Sequence, residues 1–250
     1  MTLDQSSIYI GTSGIVLLGN KTTFPEEFRS STRLQYYSSI FNSLEINSSF
    51  YKLPQAKTFA KWSHEVTENF TFSVKLSQSI THADKLNFEV EDIEKFTSAT
   101  KELEKHKGAV LIQFPANITV DYSEKVLNIL HHLTSLHTCS SWKLAVEVRH
   151  KSWYTNDFYA ALQRHHASLV FHDMPGSRTP MDQTATEFIY VRFHGSSGKY
   201  TGTYDVGIIE DYAQRIRQWK NEGKTVFVYF NNTIGDAYNN ALTLQRMLNL

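Results

Sequence analysis

Short runs of β-branched and aromatic residues recur along the chain and alternate with stretches whose apolar residues repeat at the spacing of an α-helix. Leu34, Tyr37 and Phe41, for example, fall on one helical face. The runs predicted to form strands are residues 8–11, 44–47, 70–76, 109–114, 144–149, 167–172, 188–194 and 225–231. Eight strands separated by helices predict an α/β fold, a single TIM-like (β/α)8 barrel.

The alternation weakens after the sixth strand. Residues 174–187 contain Pro175, Gly176 and Pro180, so we expect irregular structure there in place of a regular helix. No Gly/Ser-rich linker or change of composition divides the chain, and 250 residues is a typical length for one barrel. Residues 1–250 are therefore interpreted as one domain.

Two connections are longer than their neighbours. They span residues 11–29 and 195–207, and long loops in a compact domain are usually functional or mobile. Tyr200 and Tyr204 in the second loop are expected either to cover a ligand or to pack within the loop itself.

Composition narrows the class of protein. The chain has 25 basic and 25 acidic residues, which argues against a globally basic nucleic-acid-binding protein. Its single cysteine, Cys139, allows no internal disulfide and favours a reducing compartment. The start of the chain lacks the pattern of a signal peptide, and no apolar run approaches the ~20 residues of a membrane span. We expect a cytoplasmic protein that does not enter a membrane; the oligomeric state is not predicted.

Polar residues cluster where the predicted strands end. Residues two apart on a strand share a side, which pairs Glu45 with Asn47, Glu147 with Arg149, Arg192 with His194, and Tyr229 with Asn231. Active sites of (β/α)8 barrels lie at this end of the strands. Because an unpaired buried charge is costly, these side chains are expected to be solvated, paired with one another, or bound to a ligand.

The types of residue at the strand ends suggest a reaction site for an anion. Lys75, Arg149 and Arg192 would hold a phosphorylated or otherwise anionic small molecule, since a guanidinium binds such groups through paired hydrogen bonds. The predicted catalytic residues are Glu147, Glu45, Asp173 and His194, with Glu147 preferred as general acid or base. The further predicted ligand-binding residues are Asn47, Asn231, Gln113, His82, Thr12 and Ser13.

Three alternatives stay open. In the first, the charges form a closed network of ion pairs in a non-catalytic scaffold barrel. In the second, the protein binds nucleic acid at the barrel mouth or is a metal-dependent phosphodiesterase. A divalent metal would use Glu45, Glu147, Asp173 and His194, with His82 or His172. Because three cations lie nearby and no HxxxH or HExxH spacing is present, no metal or other cofactor is predicted.

Several longer motifs together resemble one family. They are Gly11-Thr12-Ser13-Gly14, Glu45-Ile46-Asn47-Ser48-Ser49-Phe50-Tyr51 followed by Pro54, Thr81-His82, Gln113-Phe114-Pro115, Glu147-Val148-Arg149-His150 with Trp153, Asp173-Met174-Pro175, Tyr190-Val191-Arg192-Phe193-His194-Gly195 and Tyr229-Phe230-Asn231-Asn232. In this order they resemble the YecE-like family, domain of unknown function seventy-two.

The resemblance implies a TIM-barrel-like fold in a bacterial and archaeal family without an established activity. One feature departs from the family pattern. The first motif usually continues with aromatic residues, whereas this chain has Ile15-Val16-Leu17-Leu18. Any contribution of the first loop to ligand contact is therefore expected to differ here.

Overall fold

Eight parallel strands form the centre of the protein. The computed structural model describes residues 8–181 and 188–250. The strands are β1 Ile8–Thr12, β2 Ser43–Ile46, β3 Thr71–Lys75, β4 Lys107–Gln113, β5 Lys143–Glu147, β6 Ala167–His172, β7 Phe188–Phe193 and β8 Thr225–Phe230. They are ordered β1-β8-β7-β6-β5-β4-β3-β2, so that β1 and β2 meet at a seam. The predicted α/β class and TIM-like barrel are confirmed.

Helices surround the strands. They are α1 Arg33–Ile40, α2 Ser48–Tyr51, α3 Ala56–Glu65, α4 Gln78–Thr81, α5 Val90–Thr100, α6 Ser123–Ser135, α7 Asn156–Arg164, α8 Val206–Asn221 and α9 Ala237–Leu248. After β6, residues 174–181 form turns without a helix, and the rest of the predicted irregular segment lies outside the described residues. In the part of the chain that the structure describes, no helix has both the length and the apolar character to cross a membrane.

Side chains on the two faces of the strands build two separate cores. One buried cluster packs the outer face of the strands against the helices. A second fills the barrel interior with Tyr9, Ala109, Leu111, Ala145, Val170, Phe188, Tyr190, Phe227 and Tyr229. Rings stack there, as between Tyr9 and Phe227, whose centroids are 5.0 Å apart. The interior is therefore a packed core rather than a pore, and free volume is left only near its ends.

Above the aromatic rings the interior becomes polar. The Tyr229 hydroxyl shares hydrogen bonds with Ser43 Oγ at 2.5 Å and Ser73 Oγ at 2.9 Å. This layer lies between the apolar core and the charged residues at the carboxyl ends of the strands. Polar groups buried in the interior thus find partners before the charged layer begins.

The seam between β1 and β2 is closed largely by side chains. Asn42 accepts a hydrogen bond from Ile10 N and donates one to Ile8 O, both at 2.8 Å, in place of a neighbouring strand. The Tyr37 hydroxyl accepts from Thr12 N at 2.8 Å and donates to Ser43 O at 3.1 Å. These bonds fix the position of β1 along β2. They therefore also fix where the residues after β1 lie relative to the carboxyl ends of the other strands.

Candidate functional site at the barrel mouth

Charged side chains from three strands meet inside the barrel near its carboxyl-terminal end. Arg192 in β7 donates from Nε to Glu45 Oε2 at 2.9 Å and from Nη2 to Glu45 Oε1 at 2.8 Å. Its Nη1 donates to Glu147 Oε2 at 2.7 Å. None of the three residues is more than 2% exposed. One buried guanidinium therefore ties β2 and β5 to β7 across the interior.

The carboxylate of Glu45 has further donors. Ser13 Oγ donates to Oε1 at 2.5 Å and the Tyr190 hydroxyl donates to Oε2 at 2.7 Å. With Arg192, each oxygen of Glu45 receives two hydrogen bonds. Its lone pairs are thus already occupied without any ligand.

Glu147 is held in the same way. Oε1 accepts a short hydrogen bond from Arg149 Nε, and Oε2 accepts from Arg192. Burial alone would raise the pKa of Glu147, but the cations of Arg149 and Arg192 outweigh it and hold the pKa well below its usual value. An ionised carboxylate that is bonded to two guanidinium groups is poorly suited to exchange protons, which argues against the acid–base role expected of Glu147. The acid–base role expected of Glu45 stays a prediction.

His194 lies beside this network as a neutral acceptor. Its Nε2 is 2.8 Å from Arg149 Nη2 and 3.1 Å from Arg192 Nη1. Because guanidinium nitrogens only donate, the imidazole proton must sit on Nδ1, which is 3.4 Å from Asp173 Oδ1. Burial, reinforced by the two arginines, lowers the pKa of His194 despite the opposing carboxylates. Asp173 also accepts from His194 N at 2.8 Å and from the Tyr204 hydroxyl.

A cavity of about 330 Å³ opens directly above the network. Its polar wall contains Ser13, Asn47, Lys75, Gln113, Arg149, Arg192, Asn231 and Thr233. Its apolar and aromatic wall contains Phe50, Tyr51, Tyr200 and Ile234. Strand ends and the loops after β2, β7 and β8 therefore converge on one space, as the paired polar residues of the sequence predicted.

Lys75 is the cation of this wall that has no carboxylate partner. Its Nζ donates to Gln113 Oε1 at 2.8 Å and lies 3.8 Å from the centre of the Phe50 ring. Among the described residues no carboxylate oxygen lies within salt-bridge distance of this nitrogen. Burial foremost, then Arg192, lowers the pKa of Lys75 to about 8, against the opposing pull of Glu147.

The other predicted residues lie outside this cavity wall. Thr12 is fully buried and its hydroxyl lies 2.9 Å from that of Tyr37, which places it at the β1–β2 seam. His82 lies behind Phe50, with ring centres 4.8 Å apart. Burial, with Lys75 and Arg149 adding to it, lowers the pKa of His82 to about 4. Asp173 borders a second cavity of about 740 Å³ against α8.

The two tyrosines of the long loop have different positions. Tyr200 lines the mouth in a left-handed conformation, with φ of 61°. Two main-chain hydrogen bonds hold it there, from Tyr200 N to His194 O and from Ile234 N to Tyr200 O. Tyr204 packs against the strand residues Phe193 and Phe230 in the outer core. The expectation that a tyrosine of this loop covers a ligand stays a prediction for Tyr200.

Apart from Tyr200, the apolar part of the wall was not predicted from the sequence. Phe50 and Tyr51 belong to the short helix α2, and Ile234 follows β8. Tyr51 and Ile234 are 74% and 75% exposed, which is unusual for such side chains and marks them as rim residues. The signal available was the aromatic pair that directly follows the polar end of β2.

The residues of the metal hypothesis are not arranged as a metal centre. Within the two described ranges, no three His, Cys, Asp or Glu side chains are placed to hold an ion together. Glu45 and Glu147 are bound to Arg192. His172 accepts from Met174 N at Nδ1 and is 2.9 Å from Val148 O at Nε2, which makes it a structural link.

Comparison with known families now identifies the chain. A family described as "Protein of unknown function DUF72" matches residues 9–250. The chain belongs to this family. UPF0759 protein YunF of Bacillus subtilis (strain 168) is 30% identical to this DUF72 protein, over 97% of the chain and 95% of the relative. UPF0759 protein YecE of Escherichia coli (strain K12) is 28% identical over 124 residues, which cover 49% of the chain and 43% of YecE.

Solved structures agree with the barrel of this DUF72 protein. A DUF72 family protein from Thermotoga maritima MSB8 superposes with a TM-score of 0.80 at 28% identity, covering 98% of this chain and 100% of that one. One from Enterococcus faecalis V583 gives 0.80 at 25% identity, covering 97% and 96%. SacUVDE gives 0.56 at 12% identity over 97% and 96%, a likeness of fold alone.

The aliphatic segment that distinguishes this DUF72 protein lies beside the mouth. Ile15 and Leu17 pack against the outer hydrophobic core, whereas Leu18 is 59% exposed. None of them is part of the cavity wall described above. These aliphatic residues therefore add nothing to the wall of the cavity as the structure describes it.

Replacing Arg192 by Met should destabilise the protein by about 3–5 kcal/mol, because Glu45 and Glu147 would be left buried without their shared cation. Urea unfolding measures this loss. The matched control is Lys105→Met, which removes the exposed pair with Glu68 at 3.1 Å and should cost less than about 1 kcal/mol. If the two variants lost equal stability, the Arg192 network would not be the tie described here.

Proposed function

We propose that this protein binds a small molecule with a phosphate or similar anionic group in the mouth cavity, where Arg149 and Lys75 hold the anion. The observation that carries the proposal is the charge left over by the buried network. Glu45 and Glu147 are two carboxylates among three cations, and His194 next to them is neutral. Lys75 is therefore left at the cavity wall with no carboxylate within salt-bridge distance among the described residues.

The unmatched charge lies on the accessible side of the network. All three cations line the cavity, but Arg192 is bonded to both Glu45 and Glu147, whereas Arg149 is bonded to Glu147 alone and Lys75 to neither. Nη1 of Arg149 has no hydrogen-bond partner among the described residues. The remaining carboxylate, Asp173, lies behind His194 and faces Tyr204. An anion entering the cavity would meet donors first and carboxylates only behind them.

The neutral side chains of the cavity wall indicate which other groups the anionic ligand carries. Oδ1 of Asn47 is buried without a partner, which leaves an acceptor for a ligand hydroxyl or amine. Asn231 lines the opposite side of the cavity. The volume of about 330 Å³ lies near the lower end of the range for small-molecule sites. These features favour a small, hydroxyl-bearing anion over a large or purely apolar ligand.

Removal of Arg149 should weaken anion binding. We expect sulfate, measured by isothermal titration calorimetry, to bind Arg149→Gln at least ~10-fold more weakly than the wild-type protein, because a charge-assisted hydrogen bond is lost. Arg178→Gln is the matched control, since Arg178 borders the second cavity instead. Equal affinities for wild type and Arg149→Gln would remove Arg149 from the proposed site.

Calorimetry with an oligonucleotide should distinguish the proposed small-molecule site from the second candidate function, which is nucleic-acid binding. Binding to phosphodiesters would show as tight association with an oligonucleotide and a steep loss of affinity with salt. The proposed small-molecule site instead predicts that sulfate binds and that the affinity for an oligonucleotide does not increase with its length. An affinity that increases with oligonucleotide length would contradict the small-molecule proposal.

Sulfate affinity should fall as pH rises past about 8. The pKa of Lys75 is about 8, lowered mainly by burial and by Arg192, and only the protonated amine attracts an anion. A bound anion favours the protonated form, so the loss should extend above that pH. Sulfate itself keeps a constant charge over this range. In Lys75→Gln the affinity should be lower and nearly independent of pH from 7 to 10; an unchanged pH profile would exclude Lys75 from the site.

A further inference from the structure

We propose that Lys75 is a nucleophilic amine that condenses with the carbonyl group of an aldehyde or ketone in the mouth cavity to form an imine. The geometry points to this chemistry because Nζ is positioned at the cavity wall by neutral groups alone. It goes beyond the proposed anion site, since the reactivity of the amine does not need a bound anion.

The contacts of Nζ are those of a positioned amine rather than of a salt bridge. A buried lysine that serves structure is normally paired with a carboxylate. Nζ of Lys75 donates instead to the amide oxygen Gln113 Oε1 at 2.8 Å. The face of Phe50, 3.8 Å from the nitrogen, supports it from a second side. The ring attracts the ammonium form, but more weakly than a carboxylate would.

Charged groups from several strands act on this amine. Arg192 of β7 and Arg149 after β5 oppose its protonation, whereas Glu147 and Glu45 favour it. Burial is the largest influence, and the net result is a pKa of about 8 for Lys75. At pH 7 about a tenth of the molecules would then carry the free amine, against well under a thousandth for an ordinary lysine.

His82 also lies close enough to Lys75 for the two charges to interact, but it does not compete for this role. Its pKa of about 4 leaves it neutral at pH 7, so it adds no charge beside the amine. Neighbouring cations and burial are a recognised way to activate a lysine for Schiff-base chemistry. The position of Lys75 at the carboxyl end of a barrel strand places it where barrel enzymes carry catalytic groups.

The reaction requires no cofactor. The lone pair of Nζ attacks the carbonyl carbon, and the π electrons of the C=O bond move to oxygen, which takes a proton. The oxygen then leaves as water while the nitrogen loses its remaining proton, so that a C=N bond replaces the C=O bond. Carbonyl compound and amine thus give imine and one water molecule, with no change in total oxidation state.

The chemical class of carbonyl compound follows from the rest of the wall. Arg149 lines the same cavity and would hold a carboxylate or phosphate carried by the carbonyl compound. Small anionic aldehydes and ketones are therefore the expected reactants. This preference, unlike the amine's reactivity, rests on the proposed anion site.

Trapping of the imine tests the inference on the intact protein. The protein is incubated at pH 7 with glycolaldehyde and cyanoborohydride, which reduces the imine to a stable secondary amine, and labelled lysines are located by peptide mass spectrometry. We expect Lys75 to react at least ~10-fold faster than Lys61, whose side chain is 68% exposed. The rate at Lys75 should approach a plateau above about pH 8. Labelling of Lys75 no faster than Lys61 would overturn the proposal.

Two variants sharpen the result. Gln113→Glu places a carboxylate 2.8 Å from the amine at nearly constant volume, and should slow the labelling of Lys75 at pH 7 by ~10-fold or more. Lys75→Arg keeps a positive charge and should remove the fast-reacting site. Because Lys75 and Lys61 are compared within one wild-type molecule, the test does not depend on either variant folding.

A matched phosphorylated reagent distinguishes this inference from the proposed function. Glycolaldehyde phosphate should label Lys75 faster than glycolaldehyde, and Arg149→Gln should remove that preference. Fast labelling by both reagents at equal rates would support the nucleophile and contradict the anion site. Sulfate binding without fast labelling would support the anion site and contradict the nucleophile.

Discussion

The mouth of this barrel depends on one buried cation, the guanidinium of Arg192 between Glu45 and Glu147. Two carboxylates at the top of a packed interior cannot stay ionised without such a partner. Arg192 satisfies both and connects β2, β5 and β7 in doing so. Below it, Tyr229 and two serines complete the transition to the aromatic core. The charged layer formed by Arg192, Glu45 and Glu147 is thus a structural floor beneath the cavity.

The floor also determines the properties of the residues that face the cavity. Arg149 is held by Glu147 and His194, so its guanidinium is oriented before any ligand arrives. After burial, Arg192 is the strongest influence that lowers the pKa of Lys75. An anion held by Arg149 leaves the Lys75 amine available, whereas one seated directly on Lys75 would protonate it. A sulfate ion held by both Arg149 and Lys75 would therefore compete with imine formation, whereas a carbonyl compound whose anionic group contacts Arg149 alone would not.

The fold and the location of the site could be predicted from the sequence. Eight runs of strand-forming residues gave the barrel, and the spacing of two residues correctly placed Glu147 with Arg149 and Arg192 with His194. Their roles could not be predicted, because a strand alone does not reveal its partners across the barrel. In the sequence, Glu147 lies beside one arginine, Arg149, and was interpreted as an acid–base group. Its second cation, Arg192, lies 45 residues further along the chain.

Two other differences between the predictions from the sequence and the structure arise from contacts between neighbouring elements. Thr12 was expected to contact a ligand, and the structure places its buried hydroxyl against Tyr37 at the β1–β2 seam. The exposed rim residues Tyr51 and Ile234 were not predicted, since exposed aromatic and aliphatic residues carry no periodic signal. Both depend on how neighbouring elements approach in space, which composition and spacing do not encode.

The central claim is that an unmatched positive charge remains at the cavity wall once the floor is satisfied. The most direct measurement is anomalous diffraction, at the selenium edge, from crystals soaked in selenate. The account predicts a selenium peak in the mouth cavity, in contact with Arg149 and within reach of Lys75. An empty mouth in crystals whose other basic surfaces bind selenate would contradict it.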